Sequence, residues 1–263
     1  MKNINNPLIS VITVVLNGEK YLEETILSIK DQSYKNIEFI IIDGGSTDNT
    51  INIIKKYNYM IDRWISEPDQ GIYFAMNKGA HLASGSYICF LNSSDGYFLN
   101  TIEDFVLNLS GNDFDYSFGP ASIVNEAGEE IRISHPLNYR ALFIDHYKPM
   151  PSPHLAVFIK KSLFMEIGGY NTNFFLSADY DLLLKVIKAS KKVFYFSKPV
   201  GFFKLGGVSN SIKSHLENYR VMAAHGVRVH IRLFLTSKFI FKHLLKKMIP
   251  LKILINIQSQ NRN

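Results

Sequence analysis

The run Ile9-Ser-Val-Ile-Thr-Val-Val-Leu16 constrains the fold more than any other stretch. It is β-branched and too continuous for a strand with one wet face, which would alternate apolar and polar positions. Such a strand needs cover on both sides, as in a parallel sheet layered between helices. From Glu19 to Gln32, Leu22, Ile26 and Ile29 recur at helical spacing, with Glu23, Glu24 and Lys30 on the other side. Ile37-Glu-Phe-Ile-Ile-Ile-Asp43 reads as a second buried strand, stopped by Gly44-Gly45. Ser46 and Asp48 then cap a helix carrying Ile51 and Ile54. A short strand over 61–66, a helix over 72–82 and a strand over 87–91 continue the alternation. Strict alternation implies right-handed crossovers and a doubly wound α/β layer.

Beyond Asn100 the rhythm loosens. Residues 116–124 and 130–134 read as strands separated by the turn Asn125-Glu-Ala-Gly128. A loop with Pro149, Pro151 and Pro153 leads to His154, and helices are expected over 161–167 and 179–190. The chain divides into 1–100, a nucleotide-type half, 101–212, an acceptor-type half of the same domain, and 213–263, a basic helical tail.

At 263 residues, 46% of them hydrophobic, the chain can bury a full core. Its one cysteine, Cys89, sits in the apolar run Tyr87-Ile-Cys-Phe-Leu91, so it forms no internal disulfide and reads as a core thiol in a reducing compartment. The first apolar run has neither the basic flank nor the cleavage site of a signal peptide. No stretch reaches the about 20 apolar residues of a spanning helix. The net charge of +6 is unevenly spread. From Asn218 onward there are nine Lys and Arg and no acid, leaving 20 Lys and Arg against 23 Asp and Glu in residues 1–217. A mildly acidic body with no dense Arg cluster argues against a nucleic-acid partner.

Chemistry-bearing residues collect where the strands end, the edge at which open parallel sheets hold ligands. Asp43 ends a strand beside Gly44-Gly45; it either accepts hydrogen bonds from a ribose or base, or caps the next helix. Asp69-Gln-Gly-Ile72 is either a turn or a second contact at the same crevice, and Lys78 follows as a phosphate contact or an exposed helical lysine. Asn92-Ser-Ser-Asp95 offers hard oxygens beside a phosphate pocket, suited to a divalent cation, or forms a turn. Ser177-Ala-Asp-Tyr-Asp-Leu182 places Asp179 and Asp181 in the first turn of a helix. They project in different directions, so one at most faces the site while the other stabilises the helix N-terminus. His154 and Gly206-Gly-Val-Ser-Asn210 are weaker signals. No nucleophile elbow, Walker loop, zinc spacing or Gly-x-Gly-x-x-Gly occurs, which argues against hydrolase, kinase and dehydrogenase chemistry.

Taken in order, Ser10-Val-Ile-Thr-Val-Val-Leu-Asn17, Ile42-Asp-Gly-Gly-Ser-Thr-Asp48, Glu67-Pro-Asp-Gln-Gly-Ile-Tyr73 with Ala75-Met-Asn-Lys-Gly79, Leu91-Asn-Ser-Ser-Asp95, His154, Ile167-Gly-Gly-Tyr170, Ala178-Asp-Tyr-Asp-Leu182 and Gly206-Gly-Val-Ser209 resemble the family-2 glycosyltransferases of bacterial polysaccharide assembly. The resemblance spans roughly residues 7–210. It implies the GT-A fold: a Rossmann-like, mostly parallel central sheet flanked by helices, here with a C-terminal helical tail. It also implies inverting transfer of one sugar from a nucleoside-diphosphate sugar to a glycan or lipid-linked acceptor, with Mg²⁺ or Mn²⁺ at the diphosphate. Carried over by position, Val15 and Asn17 line the nucleotide pocket, Asp43 and Asp69 hold the donor, and Ser94 and Ser209 stand beside it. Asp95 binds the metal, Asp179 is the general base, and His154 and Asp181 lie on the acceptor side.

Three departures or absences qualify the resemblance. Ser94 stands where members commonly carry a first carboxylate, which predicts weaker metal affinity and leaves a catalytically silent nucleotide-sugar-binding module as the alternative. Phe74 replaces an Asp often seen after Gly-Ile-Tyr. The Gln-x-x-Arg-Trp segment of processive polymerases is absent, since Trp64 is the only tryptophan. In the tail, Lys238-Phe-Ile-Phe-Lys-His-Leu-Leu-Lys-Lys-Met-Ile249 places Phe241, Leu245 and Met248 along one side and Lys238, Lys242 and Lys246 along another. That pattern suits either a helix on an anionic bilayer, through residues 238–252, or one packed on the body. The expected location is cytoplasmic, peripheral on the inner face of the plasma membrane.

Overall fold

The computed structural model describes residues 6–109, 112–136, 152–189, 192–204 and 211–248. Strand β1 (Ile9–Val15) is buried at all seven positions, and its side chains alternate between two cores. Helix α1 (Leu22–Lys30), β2 (Ile37–Asp43), α2 (Thr50–Lys56), β3 (Arg63–Ser66), α3 (Ile72–Leu82) and β4 (Tyr87–Phe90) follow in alternation. Then come β5 (Asp95–Tyr97), α4 (Thr101–Leu109), β6 (Tyr116–Phe118), β7 (Ala121–Val124), β8 (Glu130–Ser134), β9 (Phe158–Lys160) and α5 (Lys161–Glu166). The rest comprises α6 (Ala178–Ala189), β10 (Val193–Tyr195), β11 (Gly201–Lys204), α7 (Ile212–Ala224) and α8 (Val229–Met248).

Among the described residues the central sheet has seven strands in the order β10-β6-β9-β4-β1-β2-β3. Strands β4, β1, β2 and β3 run parallel, and β9 is antiparallel to both neighbours. Strands from both sides of residue 100 therefore build one sheet. A second sheet, β5-β11-β7-β8, stands apart from it. One face of the central sheet, with Ile12, Val14, Ile40, Ile42 and Phe90, packs against α3 and α6. The other, with Val11, Val15, Phe39, Ile41 and Cys89, packs against α1 and α4. Each such fully buried side chain contributes about 1.5–3 kcal/mol, which is why β1 and β2 need cover on both faces.

Several element boundaries differ from the sequence reading. The expected strand over 116–124 is two strands in two sheets, broken at Gly119-Pro120. Pro120 has no N–H to continue a ladder, and a Cβ on Gly119 would meet Phe196 at 2.5 Å. Helix α1 starts at Leu22 and not at 19, because the backbone N–H groups of Asn17, Gly18 and Glu19 bond across to Ser46, Thr50 and Asp48. The N-cap of α2 is Asn49, with no side-chain cap bond. Ser46 turns instead to Asp43, while Asp48 receives the Thr50 N–H at 3.0 Å.

Candidate active site

Register places Val15, Asp43 and Ser66 side by side at the ends of β1, β2 and β3. Val15 is buried in the core cluster on the α1 side of the sheet, and its carbonyl receives the Gly44 N–H at 2.8 Å. Asp43 is fully buried, and its carboxylate accepts from Gly45 N–H (3.1 Å), Ser46 N–H (3.0 Å), Ser66 Oγ (2.7 Å) and Ser46 Oγ. The carboxylate thus organises its own loop. Gly45 adopts φ +85°, with Pro68 N 3.2 Å from where a Cβ would stand, so a side chain here is strained twice over. Asn17 sits at φ 52°, an uncommon region for a residue other than glycine. Its amide oxygen accepts the Thr47 N–H at 2.9 Å. Two strand-end loops are stitched into one rigid rim.

The third loop is held from below. Lys78, from α3, reaches Glu67 and Asp69 at 2.6 Å each. It pins the loop to the helix, and its mutual attraction with these carboxylates raises its own pKa against the opposing effect of burial. The other Asp69 oxygen, Oδ2, is buried without a partner. An unpaired buried acceptor is costly in an otherwise satisfied structure and marks where a ligand donor fits.

The fourth segment follows β4. The Asp95 N–H bonds the Asn92 carbonyl at 3.0 Å, closing a turn, and buried Thr25 of α1 donates to the Asp95 carbonyl at 2.7 Å. Burial pushes the Asp95 carboxyl up to about 7, against hydrogen bonds from Ser94 and Asn92 and the charge of Lys204. Asn92 Oδ1 is buried with no partner. Asn92, Ser94 and Asp95 present oxygen donors only, including a desolvated carboxylate and an orphaned amide oxygen, which suits a hard divalent cation. The described residues contain no group of three or more His, Cys, Asp or Glu that could hold a metal. A cation here would draw most of its shell from phosphate oxygens and water.

Across the sheet, Asp179 opens α6, partly buried, with the Tyr180 N–H on Oδ1 at 2.8 Å. Burial pushes its carboxyl up to about 6, opposed by hydrogen bonds that include the Tyr73 hydroxyl. Glu217 of α7, whose oxygens accept from the Phe175 and Leu176 N–H groups at 3.0 and 2.6 Å, adds a repelling charge. Tyr73 lies on α3, and its ring packs 5.2 Å from Tyr170. The Tyr170 hydroxyl lies 2.6 Å from His154 Nε2, and the imidazole stacks on Phe90 at 5.8 Å. Burial lowers His154 to about 4, so the ring is neutral near pH 7.

The loops of Asp43 and Asp69 meet at the strand-end rim, and Asp179 and His154 belong to one aromatic network. Asp181 is not brought to either: its carboxylate bonds His225 Nε2 at 2.8 Å and Lys185 at 2.9 Å, tying α6 to the end of α7. Ser209 lies outside the described residues. Sequence reasoning passed over Tyr73, Tyr170, Thr25 and Glu217 as site-building residues. For Tyr73 and Tyr170 the available signal was their place inside the quoted motifs; Thr25 and Glu217 carried none.

The mostly parallel seven-stranded sheet flanked by helices is the GT-A fold of solved glycosyltransferases. The profile described as Glycosyl transferase family 2 matches residues 10–175, more than half of the chain, and the chain belongs to that family. It is similar to an uncharacterised glycosyltransferase of Mycobacterium tuberculosis, 34% identical over 68% of this chain and 68% of the relative. An uncharacterised glycosyltransferase of Haemophilus influenzae is 32% identical over 83% and 88%. A PGL/p-HBAD biosynthesis glycosyltransferase of Mycobacterium bovis is 28% identical over 86% and 89%. Among solved structures, S. aureus TarS in complex with UDP superposes with a TM-score of 0.63 at 16% identity, covering 89% of this chain and 71% of that one. A Pyrobaculum calidifontis mannosyltransferase in complex with GDP-Man and Mn²⁺ gives 0.63 at 15%, covering 97% and 80%.

Proposed function

We propose that the protein transfers one sugar, with inversion, from a nucleoside-diphosphate sugar to a hydroxyl of a glycan or lipid-linked acceptor in surface-polysaccharide assembly. The observation that carries this reading is Asp179: a carboxylate at a helix N-terminus, bonded to Tyr73 and pushed up to about 6. A general base works best near the operating pH. The acceptor oxygen attacks the anomeric carbon from the face opposite the diphosphate. Its proton passes to Asp179, and the glycosidic bond pair leaves on the diphosphate oxygen.

On the donor side, residues 1–100 supply the rim. Asn17, the loop ordered by Asp43, and the free Asp69 Oδ2 face the nucleotide and sugar, with Ser94 beside the diphosphate; the motif resemblance alone assigns Ser209 to the diphosphate. The UDP and GDP-Man complexes of the two structural neighbours support a nucleotide-sugar donor. Asp95 and Asn92 Oδ1 would hold Mg²⁺ or Mn²⁺, which when bound neutralises charge on the diphosphate leaving group. Residues 101–212 supply the acceptor side, where His154, neutral and fixed by Tyr170, borders the acceptor. A single addition per encounter fits the missing Gln-x-x-Arg-Trp segment. The nine basic residues from Asn218 onward support a reaction at the cytoplasmic face of the plasma membrane, where a lipid-linked acceptor would lie.

Asp179→Asn tests the reading. Transfer should fall by about 10²–10⁴-fold with donor binding intact, and unchanged turnover removes Asp179 as base. Ser94, which leaves Asp95 as the single carboxylate of this turn, favours a second reading, a silent nucleotide-sugar-binding module. That reading prevails if donor binds with Mn²⁺ yet neither transfer nor donor hydrolysis is detected with the wild type.

A further inference from the structure

Helix α8 carries an apolar face that the rest of the described protein leaves open. Val229, Leu233, Phe234 and Phe241 are 53%, 57%, 64% and 65% exposed. At about 3.6 residues per turn these four fall within about 140° of arc. The opposite side is committed to the body. Leu235 packs on the core cluster of α3 and α6, and Arg232 lies over the Tyr219 ring of α7 at 4.6 Å. The open face is therefore fixed in direction. Exposed Lys238 and Arg228 flank it, and no Asp or Glu occurs from Asn218 to the end of the chain. No helix among the described residues is long and apolar enough to cross a membrane.

We propose that this outer face of α8 is a docking surface for an anionic lipid bilayer, with the helix lying in the interface plane. The argument is charge complementarity joined to apolar exposure. A protein partner would be expected to meet some acidic residues among these cations, whereas an anionic headgroup layer accepts a purely cationic flank and acyl chains accept the large side chains. The surface differs from the stripe Phe241, Leu245 and Met248: three of its four apolar residues precede residue 238. It also has a fixed connection to the acceptor side. Helix α8 packs on α7, and α7 holds the start of α6 through Glu217 and its first turn through His225 and Asp181. Docking through α8 would hold Asp179 in a set orientation to the bilayer, where a lipid-linked hydroxyl is found. This deepens the acceptor reading above and rests on it only for that last step.

The test is sedimentation of the full chain with phosphatidylcholine vesicles, pure or mixed two to one with phosphatidylglycerol, without donor or acceptor. The protein should pellet with the mixed vesicles, less so as salt is raised, and only weakly with the neutral ones. Leu233→Glu/Phe234→Glu should lower the partition coefficient roughly tenfold or more, and Phe241→Glu, made separately, should lower it in the same direction. Unchanged circular dichroism and Tm would show the variants folded. Binding that is absent in the wild type, equal on both vesicles, or unchanged in both variants overturns the proposal. So does a wild-type dimer that the double variant converts to monomer, or vesicle binding that appears only after residues 249–263 are removed. Asp179→Asn should pellet as the wild type does, so failure of docking and failure of the catalytic reading are distinguishable.

Discussion

Removing one hydroxyl, in Tyr73→Phe, should move the pH dependence of transfer through Asp179. Burial is the largest influence on Asp179 and raises its carboxyl to about 6; the hydrogen bonds from the Tyr180 N–H and the Tyr73 hydroxyl hold it from rising further. A hydrogen bond to a charged group is worth about 1.5–3 kcal/mol, and about 1.4 kcal/mol corresponds to one pH unit, so the variant's carboxyl should titrate near 7 to 8. A base must be ionised to take the acceptor proton. At pH 7 the ionised fraction then falls from about nine tenths to between about a half and a tenth. The rate at pH 7 should drop about twofold to tenfold and recover above about pH 9. The groups facing Asp179 are Tyr73 from α3, Tyr170, Tyr180 and Glu217 from α7, and none of the others changes. The assay is kcat/KM against pH for wild type and variant. An acid limb that stays near pH 6 refutes the reasoning, as does an equal loss at every pH.

Three further outcomes follow from the same geometry. Ser94→Asp places a second carboxylate beside Asp95 and should tighten Mn²⁺ binding roughly tenfold or more in the presence of a nucleoside diphosphate; titration calorimetry showing no gain would remove Asp95 from the metal. Asp43→Ala strands four donors at the strand ends and should cost about 3 kcal/mol, or roughly 6–12 °C in Tm, with donor affinity lost alongside. Asp181→Asn should leave kcat unchanged but lower stability by about 1–3 kcal/mol at pH 7. Despite burial, bonds to His225 and Lys185 depress the Asp181 carboxyl. Its contribution is present above the ordinary aspartate value of about 3.9 and disappears as pH falls through the lower folded value, so wild-type and variant melting curves should converge in acid.

The first half of the fold was legible because β1, β2 and β4 are buried on both faces, and burial leaves a continuous apolar run that local pattern detects. The later strands were not. Residues 158–160, 193–195 and 201–204 are three or four residues long and acquire their state from neighbours far away in the chain. The same division applies to the candidate site. Asp43, Asp69 and Asp95 announce themselves at strand ends. Helical spacing alone already separates Asp179 from Asp181, but only packing shows which of the two meets Tyr73 and which is taken by His225. Lys78, an exposed-looking helical lysine, proved to be held by two carboxylates that precede its own helix.

Helix α3 explains why donor rim and candidate base belong to one rigid arrangement. Gly79 lets it lie directly on β1 and β2: a Cβ there would meet Ile12 at 2.4 Å and Ile42 at 3.4 Å. From this close seat Lys78 fixes the 67–69 loop, and Asn77 exchanges two hydrogen bonds with the Tyr170 backbone at 2.9 and 3.0 Å. One turn earlier, Tyr73 reaches Asp179. Three polar side chains on two turns thus bind one strand-end loop, the 167–170 turn and the start of α6. A shift of α3 by even a fraction of an ångström would move the Asp69 loop and Asp179 together, because closely packed interiors transmit displacement and do not absorb it. The relative placement of the strand-end rim and the candidate base is set by the depth at which one glycine seats this helix, more than by the loops that carry the carboxylates.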